Sequence, residues 1–203
     1  MTTILLIRHG ENAYVAKGRL AGRLPGVHLN ENGKKQAETV AKAFAKVPIK
    51  TVYSSPMERC METAQPLAKI LGQAIIPHEG LMEIDFGEWQ NKTLKQLRRR
   101  KLWSAVQKTP SMVQFPNGER FTNAQTRIVT TLQTLNQQHK RQDLIACFSH
   151  SDIIKLAVAY FIGTPLDLFQ RIVIQPASIS TLNIGAEGIW VFNVNQCVSG
   201  NIL

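Results

Sequence analysis

Ile4-Leu5-Leu6-Ile7-Arg8-His9-Gly10 is a run of four apolar residues that breaks off at a cation, an imidazole and a glycine. A short apolar run closed in this way reads as a buried strand, with Arg8 and His9 delivered together to its carboxyl end. Open α/β sheets hold their ligands at those ends. A neutral imidazole can attack phosphorus, and a guanidinium offers a planar fork of donors suited to phosphate oxygens. Phosphate chemistry is the first expectation. The competing reading of so short a motif is a basic surface turn after a buried strand.

Outward from that strand, apolar runs alternate with helical patterns, which predicts βαβ units, an α/β fold and a largely parallel sheet. Residues 51–55 form a strand that runs straight into a helix. Ser55 and Glu58 have capping-box spacing, with Pro56 at the favoured first helical position. Arg59 then falls in the first turn, leaning back towards the strand end. A cation is disfavoured there, so its placement points to a bound anion, the plain alternative being a surface arginine. Residues 144–148 repeat the design, and Ser149-His150-Ser151-Asp152 opens a helix over 153–162 that Gly163 and Pro165 end. His150 therefore lies beside a helix N-terminus, whose free N–H groups attract anions. A lone histidine at such a place is ordinarily a structural hydrogen-bonder. Three junctions carrying Arg8 and His9, Arg59, and His150 make a shared anion site the better reading.

A fourth segment, residues 81–89, follows a short strand at Ile75-Ile76. It sets Glu83 between apolar neighbours, where a raised pKa would let it keep a proton for a leaving alkoxide. Asp85 and Glu88 read as capping or solvated carboxylates. The Gly-rich residues 16–26 match neither GxGxxG nor the P-loop and are predicted to cover the site. A helix is predicted over 31–46, with Asn30 as N-cap, Ala37, Val40, Ala41 and Phe44 facing inwards, and Pro48 beyond its end. Residues 171–175, 178–184 and 189–194 read as strands, and an exposed edge among them could mediate a homodimer.

With 203 residues, 44% hydrophobic and 19% charged, the chain is expected to fold as one domain over 1–203. No apolar run approaches the ~18 residues of a membrane span, and the N-terminus lacks the features of a secretory signal. Cys60, Cys147 and Cys197 are odd in number with no CxxC spacing, which fits reduced thiols and the cytoplasm. No membrane partner is expected. The excess of 24 Lys and Arg over 14 Asp and Glu gives a net charge of +10, which draws in anions. Its densest run, Arg98-Arg99-Arg100-Lys101 after Leu94 and Leu97 and before Trp103, reads as the solvated face of a short helix. Without an RRM, zinc-finger or basic-zipper pattern, no nucleic-acid partner is expected.

Taken in order, Arg8-His9-Gly10-Glu11, Ser54-Ser55-Pro56-Met57-Glu58-Arg59 with Thr63-Ala64, Leu81 to Trp89 around Glu83, and Ser149-His150 resemble the histidine phosphatase, or phosphoglycerate mutase-like, superfamily. Weaker echoes lie at Leu29, Gly33, Gln36-Ala37, Gly118-Glu119 and Arg127. The resemblance implies a three-layer αβα sandwich with a mostly parallel central sheet. It also implies two-step phosphoryl transfer, in which His9 attacks phosphorus and is transiently phosphorylated. Arg8, Arg59 and His150 would hold the equatorial oxygens, Glu83 would protonate the leaving oxygen, Gly10 would admit the phosphate close to the backbone, and Ser151 would offer its backbone N–H. A small phosphorylated substrate is implied, with no metal and no cofactor. Two departures are Val15, where many members carry Asn, and Ser151, where Gly is frequent. The chain is also shorter than typical cofactor-dependent mutases. Hydrolysis of a phosphomonoester is therefore expected, with a phosphomutase and a non-catalytic phosphate-ligand binder as alternatives.

Overall fold

The computed structural model describes residues 2–185 and 188–198. Strand β1 (Thr2–Arg8) is apolar on both faces because both faces are covered. Ile4 and Leu6 pack with Ile128, Leu132, Ile154 and Val158, while Leu5 and Ile7 pack with Val40, Ala41, Ala64 and Leu67. These two sets belong to two pairs of helices on opposite sides. α2 (Glu31–Ala43) and α3 (Glu58–Leu71) lie on one side, α6 (Phe121–Gln138) and α7 (Ser151–Phe161) on the other. The expected three-layer αβα arrangement is the one found.

The sheet adds β2 (Ile49–Ser54), β3 (Ile75–Pro77), β4 (Leu144–Ser149), β5 (Ile179–Gly185) and β6 (Gly188–Gln196), in the order β3-β2-β4-β1-β5-β6. The first four strands are mutually parallel; β5 runs antiparallel to β1, and β6 to β5. Arg8 pairs with Ser149, and Ser54 with Phe148, so β1, β4 and β2 end level with one another. The chain leaves β1 for α2 on one face and leaves the adjacent β4 for α7 on the other. That divergence opens a crevice at the carboxyl ends of β1 and β4, the topological switch point where α/β sheets bind ligands. Three short helices cover it: α1 (Ala13–Ala16), α4 (Leu94–Leu97) and α5 (Leu102–Lys108). No helix among the described residues is long and apolar enough to cross a membrane.

Four local expectations need correction. Residues 171–175 are not a strand: Leu166–Arg171 is a 3-10 helix, and the extended residues after it pair with no strand, the Ile174 carbonyl accepting from the Arg8 guanidinium instead. α2 stops at Ala43 rather than at residue 46, because the chain turns after Phe44, with Val47 N–H donating to the Phe44 carbonyl, to enter β2 at Ile49. Ser55 and Glu58 do not form a capping box. α3 begins at Glu58 with Met57 as an unbonded N-cap, since Ser55 faces His150 and the Glu58 carboxylate accepts the Gly26 N–H. Arg98 to Lys101 form an exposed turn between α4 and α5 rather than a helix face.

Candidate active site

His9, just past the end of β1, is 4% exposed. Its Nδ1 lies 2.7 Å from the Gly10 carbonyl, which can only accept, so Nδ1 carries the proton and Nε2 keeps its lone pair. Burial, reinforced by the Arg59 and Arg8 charges, holds the imidazole pKa well below its ordinary value, and the ring is neutral at pH 7. Gly10 itself lies off the cavity wall. A Cβ there would come within 2.6 Å of the Gly33 carbonyl oxygen, so glycine is required by close packing against the first turn of α2. The Gly10 N–H donates to Thr63 Oγ1 at 2.9 Å, which ties the loop to α3.

Arg8 and Arg59 each commit part of the guanidinium to the protein and leave part uncommitted. Arg8 Nη1 donates to the Ile174 carbonyl at 2.7 Å. Arg59, 1% exposed, uses Nη2 for the Gly22 carbonyl at 2.7 Å and for His150 Nδ1 at 3.0 Å. Arg8 Nε and Arg59 Nε and Nη1 are buried without a protein partner. Asn12 adds a fourth such donor. Its Oδ1 accepts from the Tyr14 and Val15 backbone N–H groups at 3.0 and 2.9 Å, capping α1, and this fixes the amide so that the buried, unpartnered atom is Nδ2. Among the described residues, these four are the only buried side-chain donors without a partner, and all three residues line one cavity. An unmet buried donor costs about 1–3 kcal/mol, more when charged. Four such donors on three residues that line one space are matched by an oxygen-rich anion.

His150 lies behind this group, its ring centroid 5.3 Å from that of His9 at 64°. Nδ1 accepts from Arg59, so Nε2 carries the proton and donates to Ser55 Oγ at 2.9 Å. Burial and the neighbouring arginines keep this imidazole neutral too. It is fully buried and off the cavity wall, with both nitrogens engaged by protein groups. Ser151 does reach the wall, as the first residue of α7. Cys60 Sγ lies 3.4 Å from His150 Nε2, but burial pushes its pKa up to about 12 and it remains a neutral thiol.

Glu83 faces the same cavity and is 8% exposed. Burial, with help from Asp152, pushes its carboxyl up to about 7 against the pull of the Ile84 N–H, Arg59 and Arg8. The segment that carries it is clamped from below. Arg23 Nε donates to the Glu83 carbonyl at 2.8 Å, and its Nη2 pairs with Glu119 at 3.1 Å. Arg127 grips the same carboxylate through Nε and Nη2 at 3.1 and 3.0 Å, and reaches the Gly80 and Met82 carbonyls through Nη1. Glu119 and Arg127 thus set the position of Glu83. Asp85 accepts the Gly87 N–H at 2.9 Å in a local turn, while Phe86 holds the N-cap position of the 3-10 helix Gly87–Trp89.

The cavity measures about 360 Å³, and residues Gly18 to Gly22 of the predicted covering loop form part of its wall. Among the described residues, no cluster of three or more His, Cys, Asp or Glu side chains is arranged to hold a metal ion. Sequence reasoning missed Asn12, Ser55 and Thr63. Asn12 had a usable signal, an Asx residue two and three places ahead of the N–H groups it caps. Ser55 was hidden by a capping-box spacing that the helix does not use.

A family model described as the histidine phosphatase superfamily (branch 1) matches residues 4–196. Phosphoserine phosphatase 1 of Hydrogenobacter thermophilus is 26% identical over 189 residues, covering 91% of this chain and 87% of that protein. The 2,3-bisphosphoglycerate-dependent phosphoglycerate mutase of Thermoplasma acidophilum is 27% identical over 184 residues, 91% of this chain and 88% of that protein. The solved structure of YhfR from Bacillus stearothermophilus superposes with a TM-score of 0.90 at 26% identity, covering 98% of this chain and 99% of that one.

Proposed function

The chain belongs to the histidine phosphatase superfamily, and from that premise we propose that it hydrolyses phosphomonoesters through a phosphohistidine on His9, without a metal ion. The observation that carries this is the set of four unmet donors around a neutral imidazole. The substrate phosphoryl group sits among Arg8 Nε, Arg59 Nε and Nη1, and Asn12 Nδ2, which spread its equatorial charge as a metal would elsewhere. His9 Nε2 forms the N–P bond as the ester P–O bond breaks, and the Glu83 proton goes to the departing alkoxide. Water then attacks phosphorus, giving its proton to the Glu83 carboxylate; the N–P bond breaks and inorganic phosphate leaves. His150 acts through Arg59, which it holds by Nδ1. Cys60, Cys147 and Cys197 are free thiols, in keeping with work in the cytoplasm.

Inorganic phosphate, rather than an isomerised ester, is the expected product, and phosphorus NMR of a phosphoglycerate reaction separates hydrolysis from mutase chemistry. Glu83 gives the reading a pH signature. The acid must be protonated, so kcat/KM for an alkyl phosphate is expected to fall as pH rises through about 7, by about tenfold per unit. Glu83→Gln should remove that limb and cost about 10²–10⁴-fold with ethyl phosphate, but far less with p-nitrophenyl phosphate, whose leaving group needs no proton. An unchanged profile in the variant would remove Glu83 from the reaction.

Asn12→Asp tests the fourth donor apart from its capping role. Aspartate caps a helix as well as asparagine does, so thermal stability should hold. The donor is lost and an anion faces the phosphate, so kcat/KM should fall by about 10²-fold or more. Wild-type turnover in this variant would reduce Asn12 to a cap.

A further inference from the structure

Resting on the phosphatase reading above, we propose that the alcohol half of the substrate is apolar, carries an aryl or branched alkyl group, and bears no second anion. Beyond the phosphate donors, the cavity wall includes Val15, Leu20, Trp89, Trp103, Phe115 and Phe121. The rings are fixed by one another. Trp89 stacks on Trp103 at 6.2 Å and 14°, meets Phe115 edge-on at 5.3 Å, and Phe115 meets Phe121 at 5.1 Å. Trp89, Phe115 and Phe121 belong to the main hydrophobic core and are 1–2% exposed, so they back the wall rigidly while the half-buried Val15, Leu20 and Trp103 present its apolar surface. It is preformed and cannot turn polar groups towards a ligand.

Apart from Arg8 and Arg59, the cations on this wall among the described residues are Lys155 and Arg19. Lys155 donates to Asp152 at 3.0 Å and to Gln170 at 3.3 Å, and a substrate carboxylate approaching Lys155 would meet Asp152 beside it. Arg19 is exposed, donating to the Asn91 carbonyl at 2.7 Å and lying over the Tyr14 ring, so its charge is screened by water. Glu83 holds a proton up to about pH 7. A chain with net charge +10 thus offers a leaving group on this wall, beyond Arg8 and Arg59 and among the described residues, one ion-paired lysine and one solvent-exposed arginine. A carboxylate or second phosphate placed there would lose hydration with only a paired lysine and a solvent-screened arginine to replace it, whereas a ring would bury apolar area against Trp103, Val15 and Leu20.

The test compares 2-phenylethyl phosphate, ethyl phosphate and 3-phosphoglycerate, three esters of primary alcohols, so that leaving-group acidity does not decide the outcome. For the wild-type chain, kcat/KM for 2-phenylethyl phosphate is expected to exceed that of both others by about tenfold or more. Trp103→Ala should pull the phenylethyl-to-ethyl ratio towards one. In an active enzyme, 2-phenylethyl phosphate level with or behind either other ester would overturn the apolar assignment and leave the phosphatase reading standing. No turnover of any of the three would overturn the phosphatase reading itself.

Discussion

His9→Ala is expected to lower kcat for any phosphomonoester by about 10⁴- to 10⁶-fold, the range seen when a covalent nucleophile is removed. The size follows from what His9 alone supplies: it carries the one imidazole nitrogen in the cavity with a lone pair held free by a carbonyl on the far side of the ring. Burial, reinforced by the Arg59 and Arg8 charges, keeps it neutral at pH 7. The donors around it do not depend on the ring, since Arg8 is held by the Ile174 carbonyl and Arg59 by the Gly22 carbonyl. The alanine variant should therefore still bind inorganic phosphate. Steady-state kinetics beside phosphate titration by calorimetry would check both halves, and a variant with a tenth of wild-type activity would remove His9 as nucleophile.

The second large effect concerns Arg59. Arg59→Met replaces the buried guanidinium with an apolar side chain of similar reach, removing both orphan donors and the link to His150. Loss of one preorganised donor costs about 10²- to 10³-fold in rate, so kcat/KM should fall by about 10³- to 10⁴-fold. A second readout does not depend on turnover. A ligand held at a hundred times its Kd stabilises the native state by about 2.7 kcal/mol, or roughly 5–10 °C in Tm for a chain of this size. Wild type should show this shift in phosphate and Arg59→Met should lose most of it. An equal shift in the two proteins would place the anion elsewhere.

Much of this was legible in the sequence because it rests on short-range signals. The run Ile4 to Ile7 has no polar position, as a strand covered on both faces requires. The breaks at Arg8, Ser55 and Ser149 fall at the level ends of β1, β2 and β4, so three local patterns gave one place in the fold. What escaped depends on partners far along the chain. Ile174 reads as part of a strand until its carbonyl is seen to be taken by Arg8, 166 residues away. Ser55 has the letters of a capping box, but His150, 95 residues on, turns its hydroxyl into the site. Gly10 reads as a point of close approach to phosphate, and the backbone it accommodates is that of Gly33. The family echoes at Glu119 and Arg127 carried no chemistry until both were found clamping the segment that bears Glu83.

The most direct test of the central claim is acid-free rapid quench of the wild-type chain with a radiolabelled phosphomonoester, in excess EDTA. The mechanism predicts a burst of protein-bound label approaching one per chain, stable to alkali, lost in acid, mapping to the peptide that contains His9 and absent from His9→Ala. Steady turnover in the same mixture with no label on the protein at any quench time would contradict it.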